Sequence, residues 1–424
     1  MRVIIVGGGW SGLAAATALS RHPCKVSLFE AGGILGGRAR SVHWQDINVD
    51  NGQHLMLGAY QQMLTLMQQI GLDADQVFSR QALDLTMLDP RYKPIQINSR
   101  GLFPAAVNRF YYLFKSGGLS SIMAIRRLQA QLPEVTSDMT VAALLQQTRQ
   151  PQRLIDQLWE PLTLAMLNTP LQQASARVLA DVLNASLFAG EQATELLIPN
   201  RPLTEVLPAP AARYLLQHGA DIQLNNRIQS LIINNDKITG IVDQHGQPHF
   251  ADTVVLALPP AALARLLPDN TSIPAPDEYP ICTVYLQYQA TVSASQPMTG
   301  FSGTTTQWLF DRCFQKPGLM AVVISGPGAH MQLSKAELAS KVSQELAELL
   351  PDWPEQAESA LVIREKHATF ACTPATQQAR PDCRTIIKNL WLAGDFVRHP
   401  FPATLETAIS IGLQCAEEIL QSAP

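Results

Sequence analysis

The chain is 424 residues long, more than one hydrophobic core ordinarily serves, so two or three lobes of roughly 100–200 residues are expected. Apolar types supply 46 % and Asp, Glu, Lys and Arg only 16 %, which excludes intrinsic disorder. A formal charge of −4 speaks against a protein built around nucleic acid, because phosphate binding needs a basic field.

Six scattered cysteines, with no C-x-x-C pair and no histidine at ligand spacing, read as reduced thiols of a cytosolic protein and leave neither a disulfide frame nor a metal site. Apolar runs fall short of the roughly 18–20 residues that a bilayer span needs; Pro259, Pro260 and Arg265 interrupt even the stretch 254–267. The first eighteen residues are too glycine-rich for a signal peptide.

Val3, Ile4, Ile5 and Val6 form the apolar run of a parallel strand buried on both faces. Gly7-Gly8-Gly9-Trp10-Ser11-Gly12 then opens a helix through Leu13, Ala14, Ala18 and Leu19, Val26-Ser27-Leu28-Phe29 supplies a second strand, and Glu30 ends it. A second glycine turn, Gly36-Gly37-Arg38, follows. From 58 to 187 the pattern is mainly helical, broken by Pro90, Pro94, Pro104, Pro133, Pro151, Pro161 and Pro170. Strand signals return at 227–233, 238–242 and 253–258. Those at 284–288, 307–310, 319–324 and 361–370 make a second sheet, with a helix at 334–350 among them. The chain closes with Leu390-Trp391-Leu392-Ala393, then Gly394-Asp395, then a helix from about Ala403 whose first turn holds Thr404 and Leu405.

Gly7-x-Gly9-x-x-Gly12 stands where a dinucleotide site requires it. Gly7 permits the tight turn, Gly9 lets the backbone approach a pyrophosphate, Gly12 lets helix and strand pack, and the helix N-terminus offers free N–H groups to the anion. Glu30, 18 residues after Gly12, is placed for a ribose hydroxyl. FAD and NAD share this fingerprint. Arg38 could serve the diphosphate or the flavin edge, and Asp395 with the helix after it could serve the ribityl chain and the flavin carbonyls; an NAD-only domain has no use for that distant element.

In this order the pieces resemble the FAD-binding frame of the amine oxidase and carotenoid desaturase superfamily, and Ile228 falls where that superfamily contacts adenine through its backbone. The implied fold is α/β: a Rossmann-like FAD-binding domain from 1–57, 201–260 and 385–424, interleaved with a mixed-sheet and helical substrate domain from 58–200 and 261–384. Four further segments are more specific: Asp50-Asn51-Gly52-Gln53-His54-Leu55-Met56-Leu57-Gly58-Ala59-Tyr60; Leu158-Trp159-Glu160-Pro161-Leu162 with Asn168-Thr169-Pro170; Gln307-Trp308-Leu309-Phe310-Asp311-Arg312; and Ile363-Arg364-Glu365-Lys366 with Ala368-Thr369-Phe370. Together they resemble the hydroxysqualene dehydroxylases of bacterial hopanoid pathways over essentially the whole chain. His367 departs from that pattern, which more often has arginine there.

The resemblance implies reductive dehydroxylation: hydride passes from reduced FAD to the hydroxyl-bearing allylic carbon of hydroxysqualene, giving squalene and water. Hydroxide leaves poorly without an acid or strong donor, and the allylic cation needs a water-poor lining. Asp311, Arg312, Lys366 and His54 are the polar candidates. Asp311 and Lys366 are named as catalytic, although Asp311 reads more readily as a turn residue in a solvated ion pair with Arg312, and Lys366 at least as readily as an exposed strand lysine. Gly52, Gln53 and His54 are expected to face the flavin, and Trp308, Phe310 and Tyr285 to wall the cavity. With no second glycine fingerprint for NAD(P)H, an external electron donor is expected.

A triterpene comes from the bilayer. Between Asp89 and Glu134 no acidic residue occurs, while Arg91, Lys93, Arg100, Arg109, Lys115, Arg126 and Arg127 interleave with Phe103, Phe110, Tyr111, Tyr112, Leu113, Phe114, Ile122, Met123 and Ile125. The stretch near 91–133 is therefore expected to rest on an anionic membrane surface, placing a cytoplasmic protein peripherally on the inner face of the cell membrane. The competing expectation is a helical lobe whose cations pair with acids elsewhere. Desaturases or amine oxidases running the flavin in the oxidising direction, and a non-catalytic prenyl-lipid carrier, are the alternative functions.

Overall fold

A computed structural model describes residues 1–98, 105–268, 271, 273 and 276–422, with the backbone alone for 98 and 105–117. Its first layer is a five-stranded parallel sheet in the order Asp221–Gln223, Lys25–Phe29, Arg2–Val6, Thr253–Leu256, Leu390–Leu392. Val3 to Val6 are at most 4 % exposed, which is why this run reads as unbroken apolar sequence instead of alternating. Helix Trp10–Ser20 packs against the C-terminal helix Leu405–Ser422. At their crossing Gly412 lies so close to Ser11 that an added Cβ would stand 2.3 Å from the Ser11 carbonyl oxygen. A three-stranded antiparallel sheet, Ile228–Asn234, Lys237–Asp243 and Pro248–Phe250, is inserted before strand Thr253–Leu256.

The second layer is a seven-stranded mixed sheet in the order Ser359–Phe370, Glu278–Gln287, Leu319–Ser325, Trp308–Asp311, Met298–Phe301, Asp84–Asp89, Tyr92–Asn98. Side chains alternate across it. Tyr285, Trp308, Phe310, Ala321 and Val323 join the main core beneath the helical lobe. Cys282, Val284, Leu309 and Val322 pack on the opposite face with Leu338, Val342 and Leu346 of helix Lys335–Leu349. That helix begins at a reciprocal cap between Ser334 and Glu337.

The stretch 58–187 is less helical than its sequence suggests. It contains strands Phe78–Gln81, Asp84–Asp89 and Tyr92–Asn98, two of which extend the seven-stranded sheet, and the hairpin Ser41–Trp44 with Ile47–Asp50 precedes it. Leu85 and Met87, like Ile95 and Ile97, alternate inward, but Pro90 and Pro94 mask the period of two. Pro94 is tolerated because its strand is at the sheet edge.

In the cationic stretch the exposed Arg91 pairs with Asp89 at 2.9 Å and with Asp156 at 3.4 Å, and Arg127 donates to the carbonyls of Thr148 and Arg149. Ile122 is buried. Helix Ala105–Gln131 is broken at Gly118, whose φ is 71°, and beyond the break Leu119 and Met123 are 59 % and 53 % exposed. Arg100 and Phe103 lie outside the described residues, as do the side chains of Arg109, Phe110, Tyr111, Tyr112, Leu113, Phe114 and Lys115. Among the described residues no helix is long and apolar enough to cross a membrane.

Candidate functional site

The carboxyl ends of strands Arg2–Val6, Lys25–Phe29 and Leu390–Leu392 deliver Gly7, Glu30 and Asp395 to one edge of the parallel sheet, where ligands of open α/β sheets bind. The glycines of the first turn do different work. Gly7 has φ 111°, and a Cβ there would stand 2.2 Å from the Ala257 carbonyl oxygen; one on Gly12 would stand 2.0 Å from the Gly7 oxygen. A Cβ on Gly9 would meet nothing nearer than 3.9 Å. Two glycines are thus demanded by packing, and the third leaves open space. Among the described residues helix Trp10–Ser20 has no side-chain cap at its N-terminus, and the buried Ser11 hydroxyl has no partner. Free N–H groups, positive helix dipole and an unclaimed hydroxyl beside an open cradle fit the diphosphate of a dinucleotide.

Glu30 braces this turn: one carboxylate oxygen accepts from Gly8 N at 2.8 Å and the other from Gly32 N at 2.7 Å. Each oxygen retains a second lone pair for a hydroxyl. The main-chain oxygen of Glu30 accepts from Asn226 N, bringing Ile228, two residues on and 7 % exposed, to the same end of the site. The second glycine turn docks on the first through Gly36 N to Gly8 O at 2.9 Å, with φ of 113° at Gly36 and 60° at Gly37.

Arg38 and Asp395, expected to act separately on the cofactor, are joined to each other. One Arg38 nitrogen reaches both Asp395 oxygens at 2.7 Å, and another donates to Ala368 O at 2.7 Å. The Asp395 charge raises the Arg38 pKa, keeping the cation fixed. Asn51 donates to Arg38 O and to Glu365, both at 3.1 Å, so the Gly52 turn lies beside this pair and beside strand Ser359–Phe370. There His54 Nδ1 donates to Gly52 O at 2.8 Å, which leaves Nε2 as an acceptor. Burial pushes its pKa down and keeps the ring neutral. Among the described residues the buried Gln53 side-chain oxygen has no partner, a second unclaimed polar atom of the site.

Thr404 is the N-cap of helix Leu405–Ser422, its Oγ1 accepting from Thr407 N at 3.1 Å; the helix begins two residues later than its sequence suggests. Lys366 is exposed on strand Ser359–Phe370, two residues before Ala368. His367 meets Glu278 at 2.7 Å, a contact that an arginine could also make.

Asp311 is not brought into this cluster. Its two oxygens accept from Ala294 N at 2.8 Å and Cys313 N at 2.7 Å, so the carboxylate ties two loops together. It does not form a solvated turn pair with Arg312 either, because Arg312 is 1 % exposed and points to Asp50 at 3.9 Å. Successive strand residues face opposite ways, which is the reason these neighbours part. Tyr285 is likewise committed, its hydroxyl donating to Asp50 O at 2.9 Å. Trp308 and Phe310 are in the core, the Trp308 indole N–H without a partner among the described residues.

Arg380 is a residue of this site that no motif marks. Only 3 % exposed, it donates to the carbonyls of Asp395, Val397, His399 and Phe401 and to the Gln377 side chain, at 2.8–2.9 Å. It therefore shapes the whole loop between strand Leu390–Leu392 and the C-terminal helix. A lone arginine before Pro381, in no motif, gives no signal of this.

Within that loop His399 donates through Nε2 to Ser410 and accepts Phe401 N on Nδ1. Burial, with the Arg380 charge adding, pushes its pKa down to about 4. A histidine depressed by folding contributes stability that is fully present above its unfolded pKa, about 6.5, and is lost as pH falls through the folded value. Discounted for partial exposure, the loss between pH 6.5 and 4 should be about 1–2 kcal/mol. Denaturant titrations should show that decline in the parent protein and less of it in His399→Gln.

The profile described as flavin containing amine oxidoreductase matches residues 10–420. The chain is 30 % identical over 432 residues to hydroxysqualene dehydroxylase of Rhodopseudomonas palustris, covering 99 % of this chain and 98 % of that one. It is 27 % identical to the enzyme of that name from Zymomonas mobilis, covering 97 % of each. Among solved structures, an oxidoreductase from Methanosarcina mazei superposes with a TM-score of 0.77 at 15 % identity, covering 99 % of this chain and 100 % of that one, a likeness of fold. Matched end to end on these grounds, the chain belongs to the flavin containing amine oxidoreductase family and, within it, to the hydroxysqualene dehydroxylases.

Proposed function

We propose that this flavoenzyme converts hydroxysqualene to squalene in hopanoid biosynthesis. A hydride joins the allylic carbon, the C–O bond breaks, hydroxide leaves with a proton as water, and FAD ends oxidised. The observation that carries this reading is an open glycine cradle, with Glu30 and the Arg38–Asp395 pair around it, in a chain that aligns over its whole length with hydroxysqualene dehydroxylases.

FAD supplies the hydride when bound. In this reading Gly7, Gly9, Ser11 and Gly12 hold its diphosphate, Glu30 a ribose hydroxyl, and Ile228 the adenine through its backbone. Gly36, Gly37 and Arg38 with Gly394 and Asp395 flank the ribityl chain. Gly52, Gln53, His54, Thr404 and Leu405 frame the ring. His54, neutral and accepting, orients a hydroxyl without protonating it. In this reading Lys366, exposed on the strand that carries Ala368, assists hydroxide departure. Lys366→Met should slow the single-turnover rate about 100-fold or more with FAD still bound, whereas Asp311→Asn should leave that rate unchanged and cost about 1–2 kcal/mol of stability through the loops it ties; stopped-flow traces and unfolding curves separate the two.

The hydrophobic substrate is met at an anionic membrane on the cytoplasmic side, with the exposed Leu119 and Met123 entering the interface. An external donor recharges the flavin. Anaerobic incubation tests the reading: flavin-reduced protein should be reoxidised by hydroxysqualene, and oxidised protein should not be bleached by squalene or phytoene. Bleaching by either hydrocarbon would assign a desaturase instead. Purified protein that stays colourless after reconstitution with FAD would assign a carrier.

A further inference from the structure

Arg312 and Asp50 are both 1 % exposed, yet their nearest side-chain atoms are 3.9 Å apart, beyond hydrogen-bond reach. Among the described residues Arg312 Nη1 and Asp50 Oδ2 have no partners. Arg312 Nε donates to Gln315 at 3.2 Å, and the guanidinium lies 4.4 Å from the Phe314 ring centre. A buried ion pair so loosely met is a poor source of stability, since an apolar side chain of similar size would avoid the desolvation. What the pair adjoins gives it a use.

Asp50 is a hub. Its Oδ1 accepts from the Ser41 hydroxyl at 3.0 Å and from Leu203 N at 2.8 Å. Its main-chain N–H and C=O are both gripped by the Tyr285 hydroxyl, at 3.1 and 2.9 Å. One residue thus ties together the hairpin Ser41–Trp44, the helix Leu203–Val206 and the strand Glu278–Gln287. The next four residues, Asn51 to His54, form the turn read above as framing the flavin ring. Burial raises the Asp50 pKa, and the Leu203 hydrogen bond, the Arg312 charge and the Ser41 hydroxyl each oppose that rise; the more ionised Asp50 is, the more strongly it accepts from Leu203 and Ser41.

We propose that Arg312 is a positioning residue for the cofactor: through Asp50 it holds the Gly52–Gln53–His54 turn where the flavin ring needs it. This rests on the reading of that turn as flavin-facing.

The test uses the full-length protein with R312M, R312K, D50N, D50N/R312M and Y285F. FAD affinity is read by flavin fluorescence on titrating apoprotein, and amide hydrogen exchange is read at 7–12 and at 51–54. R312M should raise the FAD dissociation constant at least tenfold and speed exchange at 51–54 at least tenfold, with 7–12 protected as before. R312K should recover part of both, and the double variant should be no worse than R312M. Unchanged affinity and exchange in R312M, equal loosening at 7–12 and 51–54, or additive effects of D50N and R312M would overturn the proposal. Should R312M fail to fold, Y285F alone must loosen 51–54 and spare 7–12; no change there overturns it equally. If the parent protein binds no FAD, the functional reading falls while apoprotein exchange at 51–54 still decides the positioning role.

Discussion

Gly12→Val is expected to give a colourless protein. A Cβ at this position would stand 2.0 Å from the Gly7 carbonyl oxygen and 3.1 Å from Ala257 Cβ, and backbone oxygen cannot swing aside as a flexible side chain can. The turn must therefore move by an ångström or more, or helix Trp10–Ser20 must lift from the sheet. Either movement misaligns the uncapped helix N-terminus. Overpacking of this severity costs about 3 kcal/mol or more, and FAD affinity should fall at least 1,000-fold. Gly9→Ala is the control: its Cβ meets nothing within 3.9 Å, so the apoprotein should keep its stability while FAD binding weakens. Absorbance near 450 nm after gel filtration, together with thermal unfolding of both apoproteins, separates lost packing from lost ligand space.

Arg380→Met should be nearly as damaging, for a different reason. Methionine fills the volume but leaves the carbonyls of Asp395, Val397, His399 and Phe401 without the donor that gathers them. Each orphaned group costs about 1–3 kcal/mol where water does not replace the bond, and a total near 3–5 kcal/mol is expected after relaxation. Burial already pulls the Arg380 pKa down to about 10, so the guanidinium is kept in an unfavourable place by its acceptors. Arg380→Lys should rescue little, because an ammonium cannot span a forked set of carbonyls. Asp395 moves with the loop, so weaker FAD binding should accompany the lower melting temperature in both variants.

How much of this could be read from the residues depended on whether the signal was local. The run Val3 to Val6, the glycine turn and Glu30 lie within 30 residues of one another and specify a strand, a turn and a helix. Helix Lys335–Leu349 was legible for the same reason, with Ser334 and Glu337 marking its start. Strands Asp84–Asp89 and Tyr92–Asn98 were not, because prolines interrupt their alternation and their burial depends on strand Met298–Phe301, some two hundred residues away. The motifs indicated that Arg38, Asp395, Asp50 and Arg312 matter, but not that Arg38 meets Asp395 or Arg312 meets Asp50. Nor could they show that Asp311 would spend both oxygens on neighbouring loops. Such pairings are set by how two sheets close on one another, which no window of sequence contains.

The most direct measurement is a single anaerobic turnover in D2O, with the bound flavin reduced in the same solvent and hydroxysqualene as substrate. One squalene should form per flavin reoxidised, bearing one deuterium at the carbon that lost its hydroxyl. Squalene without deuterium there, or loss of the hydroxyl while the flavin stays reduced, would contradict hydride delivery from the cofactor and with it this account of the cleft.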